Sequence, residues 1–192
     1  LISILYDFQA VAMSTEKSAN FGNVEFKGKQ INHQWSKSEE FETMFREYVR
    51  MFVTDRVGYS SPLRSMTELQ VAELFVKYPQ YFRCTTSCNT NWRIVKERPK
   101  ELWCAKCPKC AFVFALYAAY LPKEKLVEIF GRNLFADDWL TGVYRELLGL
   151  EGIKPFECVG TPEETKEAFR LAQKRGDLDD TVIMKMFTKD VR

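Results

Sequence analysis

Three cysteines stand two residues apart in ELWCAKCPKCAF, residues 101–112: Cys104, Cys107 and Cys110. Thiolates bind Zn²⁺ tetrahedrally, and a C-x2-C turn brings two sulfurs to one ion without strain. Here two such turns overlap, with Pro108 stiffening the second. A fourth ligand is required, and Cys84 and Cys88 both lie upstream at workable loop lengths. Cys88 is the expected one, giving C-x15-C-x2-C-x2-C. Four sulfurs would close the coordination sphere and leave no position for water or substrate, so the ion expected is structural Zn²⁺. An iron–sulfur cluster accepts the same spacing. Buried thiols or a disulfide are the readings without a metal.

The second group able to do chemistry is a polar tract that follows a short apolar run. Gln9-Ala-Val-Ala-Met13 reads as a buried strand, and residues 14–37 read as a loop rich in hydrogen-bonding side chains. Such loops at the carboxyl edge of an α/β sheet are where ligands bind. The tract holds His33, the only histidine, whose near-neutral titration suits proton transfer but which can equally be structural. Lys37 stands at the mouth of an expected helix, where it could meet a phosphate or carboxylate. Glu16 and Asn23 could hold Mg²⁺ or a ribose.

Several elements must position these groups. Ser36 and Glu39 read as a capping box for a helix along which Phe41, Met44, Phe45, Tyr48, Val49 and Phe52 recur at helical spacing. Asp55–Pro62 reads as a loop. Thr67 with Gln70 opens another helix, which Pro79 closes, and Tyr81–Lys100 reads as irregular. The apolar run from Cys110 to Leu121 has the length of a buried helix and falls short of the ~18 residues that suggest a membrane span. Beyond it the pattern is helical, with Gly131 and Gly149 as expected C-caps, Lys154–Gly160 as a loop, and Thr161-Pro-Glu-Glu164 as a capped start. The fold class is therefore α/β and helix-rich.

Composition limits the rest. Hydrophobic residues make up 46% and aromatic residues 14%, enough for a sizeable core. The net charge of +2, from 28 basic and 26 acidic residues, is far from the excess of a polyanion binder, so nucleic acid is not an expected partner. With neither an export signal nor a membrane span, the cysteines are expected as reduced thiols or ligands in a cytoplasmic protein. The chain opens on Leu1, and LISILYD reads as the end of a helix already under way, so a longer polypeptide is expected.

Several blocks together resemble one family. They are Ser14-Thr-Glu16-Lys-Ser18-Ala19, Asn32-His-Gln34 with Ser36-Lys37-Ser38, Phe41-Glu42, Leu63-Arg64 with Glu68-Leu69, Ser87-Cys88-Asn89, Trp103-Cys104 through Cys110, Phe130-Gly131, and Lys154-Pro-Phe-Glu-Cys-Val-Gly160. In this order, over about residues 10–172, they are similar to the ATP-dependent epimerases of peptidoglycan synthesis that act on UDP-N-acetylmuramoyl-L-alanyl-L-glutamate. That family is similar in turn to the PP-loop ATP pyrophosphatases, one branch of which carries a four-cysteine zinc site. The resemblance implies the C-terminal part of a PP-loop-type fold with a four-cysteine zinc subdomain. On that reading residues 1–80 end a nucleotide-binding α/β domain, with the substrate loop at 14–38, and residues 81–192 form a zinc-clamped helical domain.

The resemblance also implies ATP, Mg²⁺ and a UDP-muramoyl dipeptide as partners. It makes His33 and Cys158 the candidate proton carriers, and Glu16, Ser18, Asn32, Gln34, Ser36 and Lys37 the candidate substrate or nucleotide contacts. The family's Ser-Gly-Gly-type phosphate loop is absent from this sequence. The half that cradles ATP is thus expected outside the chain, and the chain alone is expected to be inactive. Two other readings share the cysteines: a different PP-loop enzyme that modifies a nucleobase, and a zinc-stabilised binding module using Arg83, Arg93, Lys96, Arg98 and Lys100.

Overall fold

The computed structural model describes residues 1–92 and 101–191, with only the backbone of Trp92. Arg93, Lys96, Arg98 and Lys100 of the binding-module reading lie outside the described residues. The chain divides into two compact units, Leu1–Val71 and Ala72–Arg192.

In the first unit, α1 spans Ile2–Leu5 and β1 spans Ala10–Ala12, within the expected strand. A hairpin of β2 (Val24–Phe26) and β3 (Lys29–Ile31) follows, then α2 (Glu39–Phe52) and β4 (Gly58–Ser60). β1 and β4 pair in parallel, Val11 opposite Tyr59, with α2 as the crossover between them. Two expectations are corrected here. Residues 55–62 contain a strand, because pairing with β1 supplies hydrogen bonds that the local pattern does not advertise. The polar tract contains the antiparallel pair β2–β3, closed by Lys27 and Gly28 at φ 50° and 73°. Two successive positive φ values make the tight hairpin turn whose twist matches its strands.

α2 forms as its spacing predicts, but Ser38 rather than Ser36 caps it. Ser36 is taken into a 3₁₀ turn, Trp35–Lys37, while Ser38 is extended and accepts the N–H of Phe41 at 3.1 Å. Phe41 and Phe45 stack 5.7 Å apart, and Phe45 meets Tyr59 of β4 edge-on at 4.9 Å. Met44, Tyr48, Met51 and Phe52 are each more than half exposed, so the helix presents an apolar strip as well as an apolar seam. The Thr67–Gln70 capping box is present, opening α3 (Glu68–Phe75) with reciprocal bonds of 3.0 and 3.2 Å.

The second unit is built around α4 (Pro108–Ala118), buried along its whole length. A helix covered on every side needs no polar stripe, which explains the unbroken run Ala-Phe-Val-Phe-Ala-Leu. Around it lie α5 (Lys123–Phe130), α6 (Thr141–Leu147) and α7 (Pro162–Arg175), each packed on α4. The helix α8 (Val182–Asp190) packs on α6 and α7. Gly131 ends α5 with φ 76°, and Gly149 follows α6 with φ 66°, the left-handed conformation that glycine adopts without penalty. Thr161 and Glu164 form the capping box of α7. No described helix is long and apolar enough to cross a membrane.

The core of this unit is aromatic. Phe135 is fully buried, with ring centroids of Phe114, Tyr144 and Phe169 at 5.1, 5.2 and 4.7 Å. Tyr144 satisfies its hydroxyl on the carbonyl of Ala111, 3.2 Å away. Truncating Phe135 to Ala removes the centre of this cluster and leaves a cavity, which is expected to cost about 3–5 kcal/mol. Urea unfolding followed by near-ultraviolet circular dichroism measures it, and an unshifted midpoint would contradict this packing.

Candidate functional site

The four cysteines Cys88, Cys104, Cys107 and Cys110 bring their sulfurs within 4.8 Å of one another. Cys104 and Cys110 sulfurs are 3.7 Å apart, against the ~3.8 Å edge of a tetrahedron with Zn–S bonds of about 2.3 Å. The donor set therefore fits one ion; a multi-iron cluster distributes its thiolates over different irons. The fourth sulfur is that of Cys88. Cys84 is exposed, and its thiol rests on the Tyr81 carbonyl at 3.4 Å. All six cysteines are free thiols.

Backbone geometry prepares this cluster. Cys107 is the N-cap of α4 and its sulfur accepts the Cys110 N–H at 3.4 Å, while Pro108 occupies the first turn. One residue thus starts the helix and offers a ligand, and the helix N-terminus favours its thiolate. Ala105 stands at φ 54°, a left-handed turn that a side chain adopts only under constraint. Cys88 is brought in from the other side. The Thr86 hydroxyl donates to Leu102 O at 2.6 Å and accepts the Cys88 N–H at 3.1 Å, and the Cys104 N–H points at the Cys88 sulfur at 3.4 Å.

The thiols titrate apart from one another. The Cys110 thiol, aided by backbone N–H groups, pulls Cys107 down to about 5 against the effect of burial. The hydrogen bond to Cys107 and burial push Cys110 up, and burial raises Cys88. Binding a cation here must expel the protons that the raised thiols hold.

The segment Lys154–Gly160 braces the cluster. The Asn89 amide donates to the Glu157 carboxylate, which burial and the nearby Cys107 charge push above the usual range. Gly160 is sterically required: a Cβ there would lie 2.6 Å from the Glu164 carboxylate and 2.8 Å from the Phe112 ring. Cys158 is half-buried in this segment, in the second unit.

The polar tract is a hydrogen-bonded assembly of its own. Arg64 sits at its centre. One guanidinium nitrogen reaches Glu16 O at 3.2 Å and Lys37 O at 2.9 Å; the other reaches the Thr15 hydroxyl and the Glu42 carboxylate, both at 2.7 Å. Glu42 is buried on α2 and also pairs with Arg46 at 2.8 Å and the Ser61 N–H at 3.3 Å. Ser61 in turn donates to Thr15 O at 2.5 Å. Burial would raise the Glu42 pKa, but the Arg64 and Ser61 hydrogen bonds and the two arginine charges outweigh it, holding it below the usual carboxylate value.

Asparagines tie the remainder. Asn32 donates to Ala19 O and accepts the Gln34 N–H, each at 2.8 Å, and Asn23 accepts the His33 N–H at 2.9 Å. Of the predicted contacts, Ser18 and Gln34 are buried, Asn32 and Glu16 are half-buried, and His33, Ser36 and Lys37 are exposed. Buried polar atoms without a hydrogen-bond partner include Oε1 of Glu16 and Nε of Arg64. Thr15, Glu42, Ser61 and Arg64 carry this architecture, yet sequence reasoning gave them no role. Glu42 and Arg64 stand in two of the blocks that carry the family resemblance, which was the available signal, and only folding pairs them.

These features define a helix-rich α/β protein with a four-cysteine cluster able to hold a metal ion and a hydrogen-bonded polar loop. The family model described as the MurL C-terminal domain matches residues 84–192, more than half of the chain, and the MurL N-terminal domain model matches residues 1–62. The chain belongs to this family. It is 40% identical, over its whole length, to the UDP-N-acetyl-alpha-D-muramoyl-L-alanyl-L-glutamate epimerase of Xanthomonas oryzae pv. oryzae, of which it covers 43%. Proteins of the same name from a Micromonospora species and from Salinispora tropica are 40% and 38% identical over 95% of the chain, which covers 40% and 39% of them. The chain thus spans less than half the length of these curated relatives. No solved structure matches it significantly.

Two outcomes are expected. Cys107→Ser should lose bound metal and stability together; elemental analysis of purified protein checks this, and full metal content in the folded variant would refute the ligand set. Arg64→Ala should cost about 1–3 kcal/mol, because Glu42 keeps Arg46 and the Ser61 N–H but Thr15, Glu16 O and Lys37 O lose their shared donor. Because the folded pKa of Glu42 is depressed, its contribution is complete above the unfolded value of ~4.3 and is lost as pH falls through the folded value. Acid unfolding curves should therefore converge for wild type and Glu42→Gln below that range; a constant gap at all pH values would contradict the ion pair.

Proposed function

We propose that this chain is the C-terminal part of an ATP-dependent epimerase that inverts the terminal L-glutamyl residue of UDP-N-acetylmuramoyl-L-alanyl-L-glutamate. The reading rests on likeness along the whole chain to relatives named for that activity. It places the nucleotide fold in the PP-loop class, with ATP and Mg²⁺ entering as co-substrate.

The chemistry follows from the acidity of the α-proton. Beside a carboxylate that proton is very weakly acidic, because its carbanion would sit next to an existing charge. Attack of the carboxylate oxygen on the α-phosphorus of ATP forms an acyl-adenylate and expels pyrophosphate. The neutralised carbonyl then accepts the electron pair when a base removes the α-proton. Return of a proton to the opposite face inverts the centre, and water cleaves the acyl–phosphate bond to give AMP and D-glutamyl product. Oxyanion and phosphate charge needs fixed donors, and Gln34, Ser36 and Lys37 are the proposed ones, with Asn32, whose amide is bonded to Ala19 O, as the residue that holds their loop in place. His33 and Cys158 are the proposed proton carriers.

The four cysteines would hold a Zn²⁺ ion through Cys88, Cys104, Cys107 and Cys110, and the ion would supply rigidity rather than catalysis. With four sulfurs bound it has no open coordination position. The reading is tested in the full-length polypeptide by AMP release dependent on the L-glutamyl substrate, with deuterium entering the α-position from heavy water. His33→Ala is expected to lower kcat by roughly 10²-fold or more while leaving metal content unchanged. Pyrophosphate release with an unrelated acceptor, and none with the muramoyl dipeptide, would overturn it.

A further inference from the structure

An open cleft of about 720 Å³ lies beside the first turn of α2; of its lining residues only Asn32 has been named above as a candidate contact, and no ligand group has been assigned to the cleft itself. Trp35, Asn20, Gln30, Glu39, Glu40 and Met44 are among its lining residues. Trp35 is 44% exposed and lines the cleft. That ring is nevertheless fixed. Its Nε1–H donates to Glu40 Oε2 at 2.7 Å, and Phe41 braces it edge-on with centroids 5.3 Å apart. Asn20 is fixed too, since its Oδ1 accepts the Glu39 N–H at 2.8 Å. Its amide N–H₂ group has no partner among the described residues. A rigid aromatic ring beside oriented amides is the pattern of a preformed recognition site.

Charge selects the class of ligand. Glu39 and Glu40 line the cleft, and among the described residues no lysine, arginine or histidine does. Phosphate and carboxylate groups are therefore repelled. The N-terminus of α2, otherwise an anion site, already carries Glu39, Glu40 and Glu42 in its first turn and Ser38 as its cap. What fits is a neutral group with polarised C–H bonds for the indole face, hydroxyls or an amide for Asn20, Gln30 and the carboxylates, and a methyl for the exposed Met44. The negative face of an aromatic ring attracts such C–H edges.

We infer that this cleft binds an N-acetylated pyranose through stacking on Trp35. This inference deepens the proposed function, on which it rests for the identity of the sugar: the cleft would take the acetamido sugar of the muramoyl dipeptide, and the phosphates and the glutamyl carboxylates would lie outside it.

The test is saturation-transfer NMR on the 192-residue chain with N-acetylmuramoyl-L-alanyl-L-glutamate, which has no nucleotide; uridine diphosphate and putrescine are the comparison probes. Saturation is expected on the acetamido methyl and ring protons, falling roughly tenfold in Trp35→Ala. Trp35→Phe should restore part of it, and Gln30→Ala, at an exposed position, should lower it without any question of folding. Absence of transfer to the sugar, transfer surviving Trp35→Ala, or stronger transfer to putrescine or uridine diphosphate would each overturn the inference. If the sugar binds through Trp35 but the full-length polypeptide releases no AMP with the L-glutamyl substrate, the cleft stands and the epimerase reading falls. If AMP is released and the chain ignores the sugar, the reverse holds.

Discussion

An apolar helix such as α4 can be buried from its first turn only if the irregular chain before it is pinned, because free N–H groups and a mobile loop cannot be packed into a core. Cys107 meets both needs. Its sulfur caps the helix through the Cys110 N–H and belongs to the same four-sulfur cluster as Cys88, Cys104 and Cys110. With the start of α4 fixed, Phe114 meets Phe130 and Phe135, and through Phe135 the cluster extends to Tyr144 and Phe169. The end of the Lys154–Gly160 segment lies against Phe112 of the same helix, so close that a Cβ at position 160 would lie 2.8 Å from its ring.

The first unit solves a comparable problem by electrostatics. Its polar tract contributes few apolar side chains, so it cannot be ordered by burial. Order comes from one guanidinium that satisfies two carbonyls, a hydroxyl and a buried carboxylate at once, and from asparagines that stand in for missing backbone partners. Such a network is strong only when complete, since a stranded partner carries the full desolvation penalty. The result is a loop rigid enough to present exposed groups, His33, Trp35 and Lys37 among them, in fixed positions.

Binding sites and cores make opposite demands on a sequence. Apolar patterning marks α2, α4 and α7, as a helical period in α2 and α7 and as an unbroken run in α4, which is covered on every side. The residues that order the polar loop carry no period: Thr15, Glu42, Ser61 and Arg64 are spread over 50 positions and meet only in the fold. β4 was hidden for the same reason, being three residues long and defined by its partner β1. The Lys27–Gly28 turn left a signal that was readable but faint, because the strands flanking it are only three residues each.

The sequence by itself determined the four-cysteine spacing, the helical second unit, the caps at Thr67, Thr161, Gly131 and Gly149, and the place of the polar tract after a strand. These are local matters, set by ligand geometry, backbone conformational preference and side-chain period. Tertiary structure alone decided that Ser38 caps α2, that Arg64 gathers the loop around Glu42, and that Glu157 turns toward Asn89 beside the cysteines. Each of those depends on groups far apart in the chain meeting where water is excluded, and a partner's identity then matters more than any neighbour's.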